Sequence, residues 1–149
     1  KFGYLTVHGQ GGKEMIEKAT KAASEIKSKP HIMIVTILTN LSDADLKDVG
    51  NDNTVTEQVK KMSTLAKKLN VGVICSGLEA KKVREILGPN LPIFTPGVRM
   101  SDDSNNDQKR VCTPSESIKN GANKIIMGRT LIAGNLEENI NKVSSSIKI

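Results

Sequence analysis

With 149 residues the chain is long enough to bury one hydrophobic core, but it falls well short of the ~250 residues of a complete eight-stranded β/α barrel. Lys and Arg number 22 against 16 Asp and Glu, a net charge of +6, with arginine only at Arg84, Arg99, Arg110 and Arg129. The lysines sit on solvent-facing sides of helical stretches with no aromatics between them, which reads as a solvated face and argues against nucleic acid, with an acidic small-molecule ligand left open.

Five short apolar runs rich in β-branched residues alternate with longer stretches of helical period, the pattern of parallel strands joined by crossover helices. Residues 3–8 form the first run, followed by Met15, Ile16, Ala19, Ala22, Ala23 and Ile26 as a helical stripe that Pro30 closes. Residues 31–38 form the second run. Thr54 and Glu57 then carry the S/T-x-x-E spacing that satisfies two orphan backbone donors, ahead of a stripe of Val59, Met62, Leu65, Ala66 and Leu69. Residues 71–75 follow, with Ser76 and Glu79 repeating the spacing before a helix that Gly88 and Pro89 end. After the fourth run, 91–95, comes a polar stretch from Ser101 to Arg110, of the length that lids and binding loops have. Thr113, Pro114 and Glu116 open another helix with proline at its first position. The last run, 124–128, precedes a helix carrying Leu136, Ile140, Val143 and Ile147. Periodicity alone fits an open doubly wound sheet as well as a section of closed barrel.

The two cysteines, Cys75 and Cys112, lack metal or redox spacing and are expected as buried apolar residues. No apolar run approaches the ~18 residues of a membrane span, and no cleavable leader pattern is evident. A cytoplasmic protein without a membrane contact or a metal is expected. Lys1 is no initiator methionine and a strand pattern begins almost at once, so the chain reads as part of a longer one.

In parallel α/β architectures ligands bind beyond the carboxyl ends of the strands. There the sequence places His8-Gly9-Gln10-Gly11-Gly12, Thr39-Asn40, Thr95-Pro96-Gly97-Val98-Arg99 and Gly128-Arg129-Thr130. Arg99 and Arg129 follow the last two runs, where β/α barrels often hold phosphate, and Gly128-Arg129 joins free backbone N–H groups to a guanidinium. His8 is expected to be a structural, hydrogen-bonded histidine.

Thr95-Pro96-Gly97-Val98-Arg99, the polar stretch, Asp107-Gln108-Lys109-Arg110-Val111 with Thr113-Pro114, and Gly128-Arg129 resemble, in order and spacing, the C-terminal signature of bacterial orotidine 5′-phosphate decarboxylase. Val7-His8-Gly9-Gln10-Gly11-Gly12 and Val35-Thr36-Ile37-Leu38-Thr39 resemble that family's segments after its fourth and fifth strands, so the similarity spans essentially the whole chain. The resemblance implies α/β architecture of the TIM (β/α)8 barrel family, here about five parallel βα units forming the C-terminal portion of a single barrel domain, residues 1–149. It implies decarboxylation of orotidine 5′-monophosphate to UMP, without a cofactor, in a homodimer. Carried over position by position, the resemblance implies that Gln108 and Arg129 contact the 5′-phosphate, that Gly128 offers backbone to it, that Arg99 adds charge, and that Thr39 faces the nucleotide. Met100 stands where the family usually has proline, Asn106 where it has glycine, and Asn40 where serine is common.

The family's proton-transfer machinery, an Asp-x-Lys-x-x-Asp motif with a further aspartate and lysine, belongs upstream of the matched portion, and nothing in the sequence replaces it. The resemblance therefore implies the phosphate-binding half of a site, inactive alone, whose open edges favour association. A related barrel enzyme acting on a sugar phosphate, or a noncatalytic nucleotide-phosphate binding remnant, are the alternatives.

Overall fold

The structure is a computed structural model that describes residues 2–101 and 107–147. Five parallel strands, β1 (Tyr4–His8), β2 (His31–Val35), β3 (Gly72–Ile74), β4 (Ile93–Thr95) and β5 (Lys124–Ile125), form one sheet in the order of the sequence. Between and after them run α1 (Gly12–Glu25), α2 (Asp43–Asp48), α3 (Val55–Lys68), α4 (Ala80–Leu87), α5 (Pro114–Lys119), α6 (Arg129–Ile132) and α7 (Leu136–Ser146). A doubly wound sheet reverses its strand order at a switch point. This sheet has no reversal, so the ambiguity left by periodicity is resolved in favour of consecutive barrel units.

Curvature gives the same answer. Tyr4 on β1 and Phe94 on β4 meet edge to face, with ring centroids 4.7 Å apart. Strands three places apart in a flat sheet lie roughly 14 Å apart, at ~4.8 Å per strand, so the sheet must curl for the rings to touch. The period of two along each strand then divides two cores. Ile32, Ile34, Val73, Cys75 and Ile93 face the helices and join Ile16, Leu46, Val59, Met62, Ala66 and Val83 in the larger core. Met33, Ile74 and Phe94 form the smaller one on the concave side. The concave face is thus partly covered by the molecule's own side chains. The edges do remain open: β1 is largely exposed, and β5 borders an apolar cleft of about 440 Å³ lined by residues including Met127, Leu131 and Ile140.

The strands are shorter than the apolar runs predicted. Ile37, Val71 and Leu91 are buried in the larger core, yet their backbones have left the ladder. The Thr54–Glu57 and Thr113–Glu116 capping boxes form, the latter with Pro114 opening the helix. Ser76 and Glu79 do not cap α4, which starts at Ala80 with Glu79 preceding it and no side-chain cap. A further box, Ser42 with Asp45, caps the unpredicted α2. Positions 102–106 of the polar stretch, with the Asn106 departure, lie outside the described residues.

Candidate functional site

Each βα connection delivers its first residues to the carboxyl end of the sheet, and there four of the five sequence-derived site residues gather. Beyond β2 the chain turns so that Thr39 is buried, and its Oγ1 donates to Gln108 Oε1. Gln108 Nε2 donates to Asp107 at 2.9 Å, and Asp107 accepts an ion pair from Arg129 Nη2 at 2.5 Å. Thr39, Gln108, Asp107 and Arg129 therefore form one line of contacts linking the loop after β2 to the start of α6. Gly128 precedes α6, where its carbonyl accepts from Leu131 and Ile132, and a Cβ built on it would meet open space. Backbone at that point is accessible to a ligand.

Arg99 lies beyond the same end of β4 but outside that line. It is 7% exposed, its Nη1 donates to the Val98 carbonyl at 2.8 Å, and its backbone N–H donates to Cys112. Gly97 makes the approach of neighbouring chain possible. Its φ is +70°, and a side chain there would press on the Arg110 carbonyl and on Thr39. His8 is exposed at the end of β1 and forms no side-chain cap for the turn that follows it.

Electrostatically the site is a row of arginine and lysine held by carboxylates. The Arg129 guanidinium holds the Asp107 carboxyl below its ordinary range. Lys109, 2.6 Å from Asp45, does the same to that carboxyl, with help from Ser42. Both pairs are substantially exposed, so an incoming dianion competes with the carboxylates in solvent rather than against a buried charge. Burial pushes the Cys75 and Cys112 thiols up, which leaves them protonated and unsuited to nucleophilic or metal-binding work. Among the described residues no cluster of His, Cys, Asp and Glu of metal-binding type forms, and no helix is long and apolar enough to cross a membrane.

Arg110 and Glu79 are the residues that sequence reasoning missed. Their ion pair is 2.6 Å long and almost buried, and the Arg110 backbone N–H donates to the Thr39 carbonyl. In the sequence Arg110 stood inside a family motif and Glu79 in a helix-start spacing, and neither pattern pairs the two.

Comparison with known proteins adds to this geometry. The family model described as orotidine 5′-phosphate decarboxylase / HUMPS matches residues 1–142. Curated relatives include the orotidine 5′-phosphate decarboxylases of Idiomarina loihiensis, 37% identical over 128 residues, and Fusobacterium nucleatum, 41% identical over 133. The first alignment covers 85% of this chain and 55% of the relative, the second 88% and 56%. The crystal structure of the Lactobacillus acidophilus orotidine 5′-phosphate decarboxylase matches at TM-score 0.80 and 29% identity, over 98% of this chain and 63% of that one. That from Thermotoga maritima matches at TM-score 0.63 and 26% identity, over 93% and 58%. The chain thus spans about half the length of the curated relatives it matches.

Proposed function

The chain belongs to the orotidine 5′-phosphate decarboxylase / HUMPS family, and from that premise we propose that it supplies the nucleotide-phosphate grip of an enzyme converting orotidine 5′-monophosphate to UMP. The observation that carries this reading is the line Thr39–Gln108–Asp107–Arg129, ending beside the open backbone of Gly128. In it Arg129 and Gln108 hold the 5′-phosphate, Gly128 donates backbone, Thr39 faces the base, and Arg99 adds positive potential from behind. The substrate's remote phosphate then provides binding energy that is used at the base.

Proton transfer to the carbon that loses CO2 needs a lysine held by carboxylates, and no Asp-x-Lys-x-x-Asp occurs in the 149 residues. In this reading those groups come from polypeptide outside this sequence, joined at the open edges of β1 and β5, in a cytoplasmic homodimer. UMP formation from orotidine 5′-monophosphate tests it. The chain alone should bind UMP weakly and show no turnover; adding the complementary barrel half from a relative should restore turnover. Clear turnover by the chain alone would overturn the division of labour, and absence of UMP binding would overturn the grip.

A further inference from the structure

Residues 107–110 approach the site with no helix or ladder of their own. Backbone without regular structure must find its hydrogen bonds elsewhere, and here residue 110 supplies most of them. Lys109 N and Arg110 N both donate to the Thr39 carbonyl at 3.1 Å, and the Arg110 carbonyl accepts from Ser76 Oγ at 3.2 Å. The guanidinium donates to the carbonyls of Ile37, Leu38 and Leu41 at 3.0, 2.8 and 3.2 Å, which lie where the chain has just left β2. Its remaining arm donates to Glu79 Oε1 at 2.6 Å. Glu79 is itself fixed, because its other oxygen accepts from Ser76 N at 3.0 Å in the turn beyond β3. The two side chains are only 13% and 9% exposed.

We propose that Arg110 and Glu79 are a positioning pair for the phosphate grip: they lock residues 107–110 onto the turns beyond β2 and β3, so that Gln108 already stands on Thr39 before a nucleotide arrives. The inference rests on the reading of this site as a nucleotide-phosphate site. Neither residue belongs to the line of candidate ligand contacts, so each acts through the backbone that carries Gln108, by removing the ordering cost from the binding step. An arginine is required because four acceptors spread over two turns need a planar fork of donors; a lysine offers one ammonium. A buried ion pair of this kind is weak evidence for a stability role, since apolar replacements of similar volume are often neutral.

The test is a double-mutant cycle on UMP binding by the 149-residue chain, using Arg110→Lys and Gln108→Ala. Arg110→Lys should weaken UMP about tenfold in wild-type background and change little once Gln108 is gone, because its effect passes through that side chain. Additive losses would overturn the proposal, as would failure of Arg110→Lys to fold, which would make the pair a purely structural device. A second readout needs no ligand. In Arg110→Lys, hydrogen exchange at the Lys109 and Arg110 amides should accelerate while Val73 and Cys75 keep their protection; unchanged exchange at 109 and 110 would overturn the positioning role. If the wild-type chain bound neither UMP nor inorganic phosphate, the phosphate reading would fail while the exchange arm still decided the pair.

Discussion

Two arginines clamp opposite ends of the sheet, and they use the two ends of one helix. Arg84, in the last turn of α4, donates Nε and Nη2 to Gly121 O at 3.2 and 2.9 Å and Nη1 to the carbonyls of Gly88 and Leu91 at 2.7 Å each. Nη2 also reaches Asn123 Oδ1, which accepts from Ile93 N as well. Gly121, at φ +98°, leaves the room in which the arginine stem lies. At the other end, Glu79 at the start of α4 holds Arg110. Both arginines satisfy carbonyls that strand or helix ends leave open. They differ in their remaining partners and in what they hold. Among the described residues Arg84 touches only neutral acceptors, and it ties the end of α4 to the starts of β4 and β5, at the opposite end of α4 from the Glu79–Arg110 pair. Arg110 joins an ion pair and holds the segment that brings Gln108 and Asp107 into the site. The same chemistry serves cohesion at one end and pre-organisation at the other, and only what hangs from each clamp distinguishes them.

Removing the cohesive clamp should have the largest effect. Arg84→Met leaves the carbonyls of Gly88, Leu91 and Gly121 without their charged donor. Hydrogen bonds to charged groups contribute ~1.5–3 kcal/mol each and are not additive, so the unfolding free energy should fall on the order of 3 kcal/mol. Urea denaturation measures this, and exchange at Lys109 and Arg110 in the surviving native state should stay as in wild type. A loss below about 1 kcal/mol would erase the distinction between the two ends.

A smaller effect, on binding alone, is expected at Arg129. Its pair with Asp107 is half exposed on both sides, and such pairs contribute ~0–1 kcal/mol to stability. Arg129→Ala should therefore leave the melting temperature nearly unchanged. A charge-assisted contact to phosphate is worth about 1.5–3 kcal/mol, so UMP affinity measured by calorimetry should fall roughly ten- to a hundredfold. Equal affinity in wild type and variant would remove Arg129 from the grip.

The contrast between the ends also accounts for what was legible in the sequence. The strand centres were, because residues such as Ile32, Ile34 and Val73 bury alternating β-branched side chains. The strand ends were not, because Ile37 and Leu91 are buried by helices packed over them rather than by ladder pairing. Local devices announced themselves: Thr54 with Glu57 and Thr113 with Glu116 act within three residues. At Ser76 and Glu79 the same spacing is only half realised: Glu79 Oε2 accepts from Ser76 N, but Ser76 Oγ and Glu79 Oε1 are engaged by Arg110, over thirty residues away, and α4 has no side-chain cap. Six-residue α2 buries only Leu46 and so has no period to detect. Thr39, Gln108, Gly128 and Arg129 were singled out as candidates through ordered motifs; Arg110 stood inside those motifs, but its partners are set by topology and by no local pattern.

Acid should separate the two ends most gently. The carboxylates lie at the carboxyl end of the sheet: Asp45 on Lys109, Asp107 on Arg129 and Glu79 on Arg110, whereas the acceptors of Arg84 are carbonyls and an amide. The hydrogen bond from Lys109 lowers the pKa of Asp45, and that from Arg129 lowers the pKa of Asp107. A carboxyl depressed in the folded state contributes stability that is fully present above its unfolded pKa, ~3.9 for aspartate, and is lost as pH falls through the folded value. Between neutrality and about pH 4 the Asp45–Lys109 and Asp107–Arg129 contacts should therefore be constant, and below it they should weaken. Carboxyl carbon shifts of Asp45 and Asp107 followed by NMR should titrate below the free aspartate value. Protection of the Lys109 and Arg110 amides, corrected for intrinsic rates, should fall over that range while that of the Ile93 amide, bonded to Asn123, holds. Midpoints at or above ~3.9, or parallel loss at Ile93, would show that the ion pairs do not order the 107–110 segment.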